Sequence, residues 1–70
     1  MDIKVFAERL KDLRAEKKLS ARKLGKEAGI SDASIIDWEN GKRIPSADSI
    51  LKLALYFKVS TDYFYGLSDQ

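Results

Sequence analysis

The sequence predicts an all-α domain of five short helices. Apolar residues recur at spacings of three and four, as in Ile3, Phe6, Leu10 and Leu13, and no segment sustains the period-two alternation of a half-buried strand. Serines (Ser20, Ser31, Ser46 and Ser60) stand just before four of the periodic stretches. There a hydroxyl can accept from the backbone N–H groups that a helix start leaves open. Gly29 and Gly41 stand just past two of them, where the chain must turn left-handed and glycine does so without steric cost.

The first predicted helix covers residues 3–18, with Val5 and Ala7 beside the apolar stripe and charges at most other positions. Ser20 caps the second, Ala21 to Ala28, which Gly29 ends. Ser31 caps the third, Asp32 to Asn40, which Gly41 ends. Lys42-Arg43-Ile44-Pro45 is a loop, because the residue before a proline resists helical angles. Ser46 caps the fourth helix, whose apolar face is Ile50, Leu51, Leu53, Ala54 and Phe57. Ser60 caps a short fifth helix holding Tyr63 and Phe64 and extending toward Leu67.

Size and composition narrow the function classes. Seventy residues make one domain, 1–70. Such a chain buries only roughly 60% of its unfolded surface. It holds no cysteine and no histidine, which removes disulfides, thiolate and imidazole metal sites, and the commonest general base. No phosphate-cradling glycine loop or carboxylate dyad stands out, so neither an enzyme nor a bound metal or cofactor is expected. No apolar run reaches the roughly 18–20 residues of a membrane span. The start, MDIKVFAERL, is too charged for a signal peptide. A cytoplasmic protein is the expectation. The net charge is only +2. Its distribution says more: residues 44–70 carry two basic and three acidic groups against five and four in residues 20–43, so the C-terminal third is least suited to face phosphate.

Residues 21–40 read as two helices joined by a tight turn. Gly25 lacks a side chain, so the second of them can cross close over the first, and Gly29 makes the turn. Ile35 and Trp38, three apart, face the core together with Leu24, Ala28 and Ile30. This is the layout of a helix-turn-helix, a unit that reads DNA, although helix pairs with a glycine turn also occur in bundles that never touch DNA.

A longer string is more specific. LSARKLGKEA, GISDASIIDWENGKRIPS and ILKLALYFKVSTDYFYG together closely resemble the Cro and lambda-repressor-like helix-turn-helix family of bacteria and their phages. The matching elements are Leu19-Ser20, Leu24, Gly29, Ile30-Ser31, Ser34-Ile35, Trp38-Glu39-Asn40-Gly41, Pro45-Ser46, Leu53-Ala54 and Val59-Ser60. The resemblance covers nearly the whole chain and implies a compact five-helix DNA-binding domain whose third helix lies in the major groove.

The resemblance also implies roles for particular residues. Asp32, Ala33, Ser34, Ile36 and Asp37 are the expected base contacts. Ser20, Arg22, Lys23, Ser31, Asn40, Lys42 and Arg43 are the expected phosphate contacts. Arg14 and Glu39 are expected to form an ion pair between helices, and Gly25, Gly29, Ile35, Trp38 and Gly41 to hold the structure. Tyr63, Phe64 and Tyr65 are too dense a run for one helix face, and exposed members of it would form a dimer interface. Relatives often carry glutamine or arginine where this chain has Ala21, Asp32 and Asp37. The two aspartates place negative charge toward a polyanion, although a carboxylate can accept from a cytosine amino group. The implied function is a sequence-specific transcriptional regulator, a repressor that binds double-stranded DNA as a homodimer on a near-palindromic site. A protein-interaction module, or an antitoxin that caps a toxin, on the same fold is the alternative.

Overall fold

Asp2 starts the first helix: its Oδ1 accepts from the backbone N–H of Lys4 at 3.0 Å and of Val5 at 3.4 Å. The computed structural model describes residues 1–70 and contains α1 (Ile3–Glu16), α2 (Ala21–Ala28), α3 (Asp32–Glu39), α4 (Ala47–Phe57) and α5 (Thr61–Tyr65). α1 ends two residues before its predicted limit. Lys17 caps it and Lys18 turns left-handed, at φ 54°. The turn is held by Lys18 N–H donating to Ala15 O and Leu19 N–H to Arg14 O, both at 3.0 Å. A lysine makes a turn usually given to glycine, so composition could not mark it.

The serine caps hold at three of four sites. Ser20, Ser46 and Ser60 each accept at Oγ from the N–H three residues on, at 3.0, 3.1 and 3.1 Å. Ser31 stands at the N-cap of α3 with extended angles, but its hydroxyl makes no cap bond, which corrects the expected role. The neighbouring Asp32 carboxylate accepts from Ala33 N–H at 2.9 Å instead. Gly29 and Gly41 are left-handed, at φ 74° and 71°. α3 stops at Glu39, one residue short of the prediction, with Asn40 as its half-helical cap.

α1 packs on α3 and α5, α2 on α3 and α4, and α4 on α5. The core joins Phe6, Leu10 and Leu13 of α1 to Leu24, Ile35, Trp38, Ile50, Leu53, Ala54, Phe57 and Phe64. Phe6 is its hub: its ring centroid lies 6.0 Å from that of Trp38 and 5.5 Å from that of Phe64, at interplanar angles of 73° and 55°. Tilted and edge-on pairs of this kind are favoured by the ring quadrupole.

Three expectations change here. Leu51, expected on the buried face of α4, is 49% exposed, because Ile50, Leu53, Ala54 and Phe57 already fill that face and Leu51 sits one step round the helix. Leu67 lies beyond α5, past the left-handed Gly66, and is exposed. Phe64 is fully enclosed by its own chain and offers no surface to a partner, contrary to its expected place in a dimer interface. Tyr63 is half-buried beneath Arg9, whose guanidinium stands 4.4 Å from the ring centroid. Arg9 Nη1 also donates to Tyr63 O and Ser68 O at 2.5 Å each, pinning the segment after α5 to α1. Of the three aromatics only Tyr65 remains exposed.

Candidate nucleic-acid interface

The glycine at position 25 sets the distance between α2 and α3. A Cβ there would stand 2.4 Å from Ile30 O and 3.2 Å from Asp32 N, both backbone atoms that cannot swing aside. Ile30 N–H donates back to Gly25 O at 2.8 Å and closes the turn. α3 is thereby seated on α2 through its Ile35 side, and Ile35 and Trp38 are buried.

The other end of α3 is fixed by an ion pair. Arg14 grips Glu39 with two hydrogen bonds, Nε to Oε2 at 2.9 Å and Nη2 to Oε1 at 2.8 Å, while its Nη1 donates to Leu19 O at 2.9 Å. Glu39 is only 8% exposed and would be an isolated buried charge without this partner. The hydrogen bond to Glu39 raises the Arg14 pKa above its ordinary value. The predicted pair is therefore present, and it joins α1, the α1–α2 turn and the end of α3 in one unit.

What remains open on α3 is one face. Asp32, Ala33, Ile36 and Asn40 are exposed, and Ser34 and Asp37 are half-buried. These include all five residues expected to meet bases: Asp32, Ala33, Ile36 and Asp37 lie on the side away from Trp38, and Ser34, four residues before Trp38, stands at the flank. Ser31, exposed at the head of this helix, keeps its hydroxyl free of any cap bond. At the foot of the helix lies a contact the sequence did not announce. Arg43 folds back from the loop, with Nε 3.1 Å from Asp37 Oδ2 and Nη2 donating to Ser34 Oγ at 2.6 Å. The Asp37 charge is therefore compensated within the chain. Arg43 is exposed and Asp37 only half-buried, so the pair contributes only about 0.2–1 kcal/mol and is readily exchanged for another partner. The only signal in the sequence is a base six residues after an acid across a glycine turn, too long for helical spacing rules.

On α2 and its cap, Ser20, Arg22, Lys23, Lys26 and Glu27 line a shallow concavity with no hydrophobic residue among them. Lys26 is not among the expected contacts. Its spacing of four from Arg22 and three from Lys23 places it on their side and could have revealed it. Lys42 is exposed, and its backbone N–H donates to Asp37 O at 2.8 Å. Exposed bases thus stand on α2 and after α3.

Five helices, with the third seated on the second through a glycine and its outer face bordered by the basic loop that follows it, define a helix-turn-helix domain. Known proteins agree with this. A helix-turn-helix family model matches residues 10–64. The chain is 44% identical over 55 residues to the HTH-type transcriptional repressor RghR of Bacillus subtilis, covering 77% of this chain and 41% of that protein. It is 34% identical over 65 residues to the HTH-type transcriptional regulator YobD of the same species, covering 93% of this chain and 58% of YobD. In structure it is similar to the restriction-modification controller protein C.AhdI from Aeromonas hydrophila, with a TM-score of 0.81 and 32% identity over 90% of this chain and 96% of that one. The chain belongs to the Cro and lambda-repressor-like helix-turn-helix family of DNA-binding domains. It spans about half the length of the two curated regulators. No helix is long and apolar enough to cross a membrane.

Proposed function

We propose that this chain is the DNA-reading domain of a transcriptional repressor that binds a near-palindromic operator as a homodimer. The observation that carries the reading is the single open face of α3, uncapped by Ser31 and bordered by Lys42 and Arg43, with the exposed bases Arg22, Lys23 and Lys26 on the preceding helix. In this reading the bases neutralise phosphate and supply affinity, while α3 lies in the major groove. Ser20, Arg22, Ser31 and Asn40 add contacts to the backbone. Asp32, in the first turn, accepts from a cytosine amino group, and Ile36 meets a thymine methyl. Asp37 orients Arg43 beside the groove and is shielded by it from phosphate. The repressor role is supported by the similarity to RghR, and it follows physically if occupancy of an operator excludes polymerase. Two copies are needed because the domain's longest extent is 27 Å, shorter than the roughly 34 Å between successive turns of the major groove on one side of the duplex.

Titration of the chain with selected and random duplexes at several salt concentrations tests this. Lys42→Ala and Arg43→Ala are expected to weaken binding alike on every sequence. Each should lower the magnitude of the salt slope by about 0.9 for every phosphate that is no longer neutralised. Unchanged slopes in both variants would make these residues ordinary loop charges. Asp32→Asn is expected to lose about 1–3 kcal/mol of discrimination at one base pair. Uniformly tighter binding with specificity intact would instead mean that Asp32 only repels phosphate.

One observation favours a second reading. Ile36 is 47% exposed in the middle of the open face, an apolar side chain suited to a protein partner. A chain with no salt-dependent DNA binding at low ionic strength would be an interaction module on the same fold.

A further inference from the structure

α4 has two apolar faces, and only one is used. Ile50, Leu53, Ala54 and Phe57 are buried in the core. On the outside Leu51 and Leu55 are 49% and 70% exposed, four residues apart and therefore adjacent on the helix surface. They are bracketed by Asp48, three residues before Leu51 in the first turn of α4, and by Lys58, the left-handed cap just past the end of α4, both exposed. In sequence the set Asp48, Leu51, Leu55 and Lys58 is symmetric about Leu53, and its charges are opposite at the two ends of the helix.

A stripe with this symmetry fits a second copy of itself. We propose that two chains pair through α4 packed antiparallel on α4 across a two-fold axis at Leu53. In a two-fold contact each residue meets its mirror position. Leu51 then packs on the partner's Leu55, and Asp48 faces the partner's Lys58, each twice. A parallel arrangement would set like charges against each other at both ends. Within one chain Asp48 reaches only Lys52, at 4.0 Å, an exposed contact that is easily given up. The aromatic run after Ser60, by contrast, is mostly committed to the fold: Phe64 is enclosed and Tyr63 lies under Arg9.

Two leucines from each side cover far less than the roughly 800 Å² per partner of a standard interface. The pairing is therefore weak in free solution and concentration-dependent. A near-palindromic site would strengthen it by holding two copies at high effective concentration. The proposal rests on the dimeric-regulator reading for its purpose, but its test uses no DNA, so the two can fail separately.

Sedimentation equilibrium of the full chain over a wide concentration range, with circular dichroism melts to verify folding, provides the test. Leu55→Ser is expected to reduce self-association at least tenfold without lowering the melting temperature. Asp48→Lys and Lys58→Asp are each expected to weaken it about fivefold. The double variant Asp48→Lys/Lys58→Asp is expected to recover to within about twofold of the parent. These two residues stand at opposite ends of α4, separated by about 14 Å of helix from Asp48 to Phe57 at 1.5 Å per residue, so rescue cannot arise within one chain. A parent chain that stays monomeric up to about 1 mM, the weak end of specific association, overturns the proposal. So does a dimer that Leu55→Ser leaves intact, which would move the interface elsewhere, and so does a charge swap without rescue.

Discussion

Replacing Trp38 with alanine is expected to lower the stability of the domain by about 3–5 kcal/mol. The indole is 4% exposed and packs on Phe6, which in turn touches Phe64. Its removal therefore opens a cavity where α1, α3 and α5 meet. A chain of 70 residues has a total stability of about 4–10 kcal/mol at typical values per residue. The variant should be largely unfolded at physiological temperature, with a denaturation midpoint far below the parent's in urea titration. Trp38→Phe, which keeps most of the volume, is expected to recover much of the loss. A Trp38→Ala chain that melts like the parent but fails to bind DNA would move the tryptophan from the core to the recognition surface.

Arg14→Ala is expected to have the next largest effect, about 3 kcal/mol. The cost is not the value of the ion pair itself but the carboxylate it abandons. Glu39, 8% exposed, would lose both of its hydrogen bonds where little water can replace them. The loss of the bond to Leu19 O would also loosen the turn between α1 and α2. Glu39→Gln should be milder, since Arg14 is more exposed than its partner and the amide can still accept from it. Replacing both residues by apolar ones, as in Arg14→Met/Glu39→Leu, is expected to recover a large part of the stability, because neither charge is then stranded. Urea denaturation of the parent, Arg14→Met, Glu39→Leu and the double variant closes the thermodynamic cycle. If the single Arg14→Ala variant is as stable as the parent, Glu39 is solvated well enough not to need its partner.

The two variants act on α3 from its two sides. Trp38 anchors it from beneath, and the Arg14–Glu39 pair ties its end to α1. A partly populated Arg14→Ala fold would therefore be expected to bind DNA less well than its folded fraction alone predicts, since the pose of α3 is also loosened.

The number of helices, most of their limits and the seat of α3 were legible in the order of residues alone. Those features are local or periodic. A serine hydroxyl reaches an N–H three residues on, a glycine takes a left-handed angle, and residues three and four apart share a helix face whatever the rest of the chain does. For the same reason Trp38 and Ile35 could be assigned to the core, and the outer face of α3 could be named residue by residue. The pairing of Arg14 with Glu39 was legible only through the family resemblance, because nothing within one helix relates positions 25 residues apart.

Contacts between distant segments placed the other side chains. The left-handed Lys18 shortened α1, since only the packing of the following turn makes that angle worth its strain. Phe64 went inside because Phe6 left room for a ring there, which no count of aromatics reveals. Leu51 stayed outside because the face of α4 was already full. Arg43 crossed from the loop to Asp37 and Ser34 and changed the charge of the open face. Each of these depends on two segments meeting in space, and spacing along one segment carries no information about the shape of another.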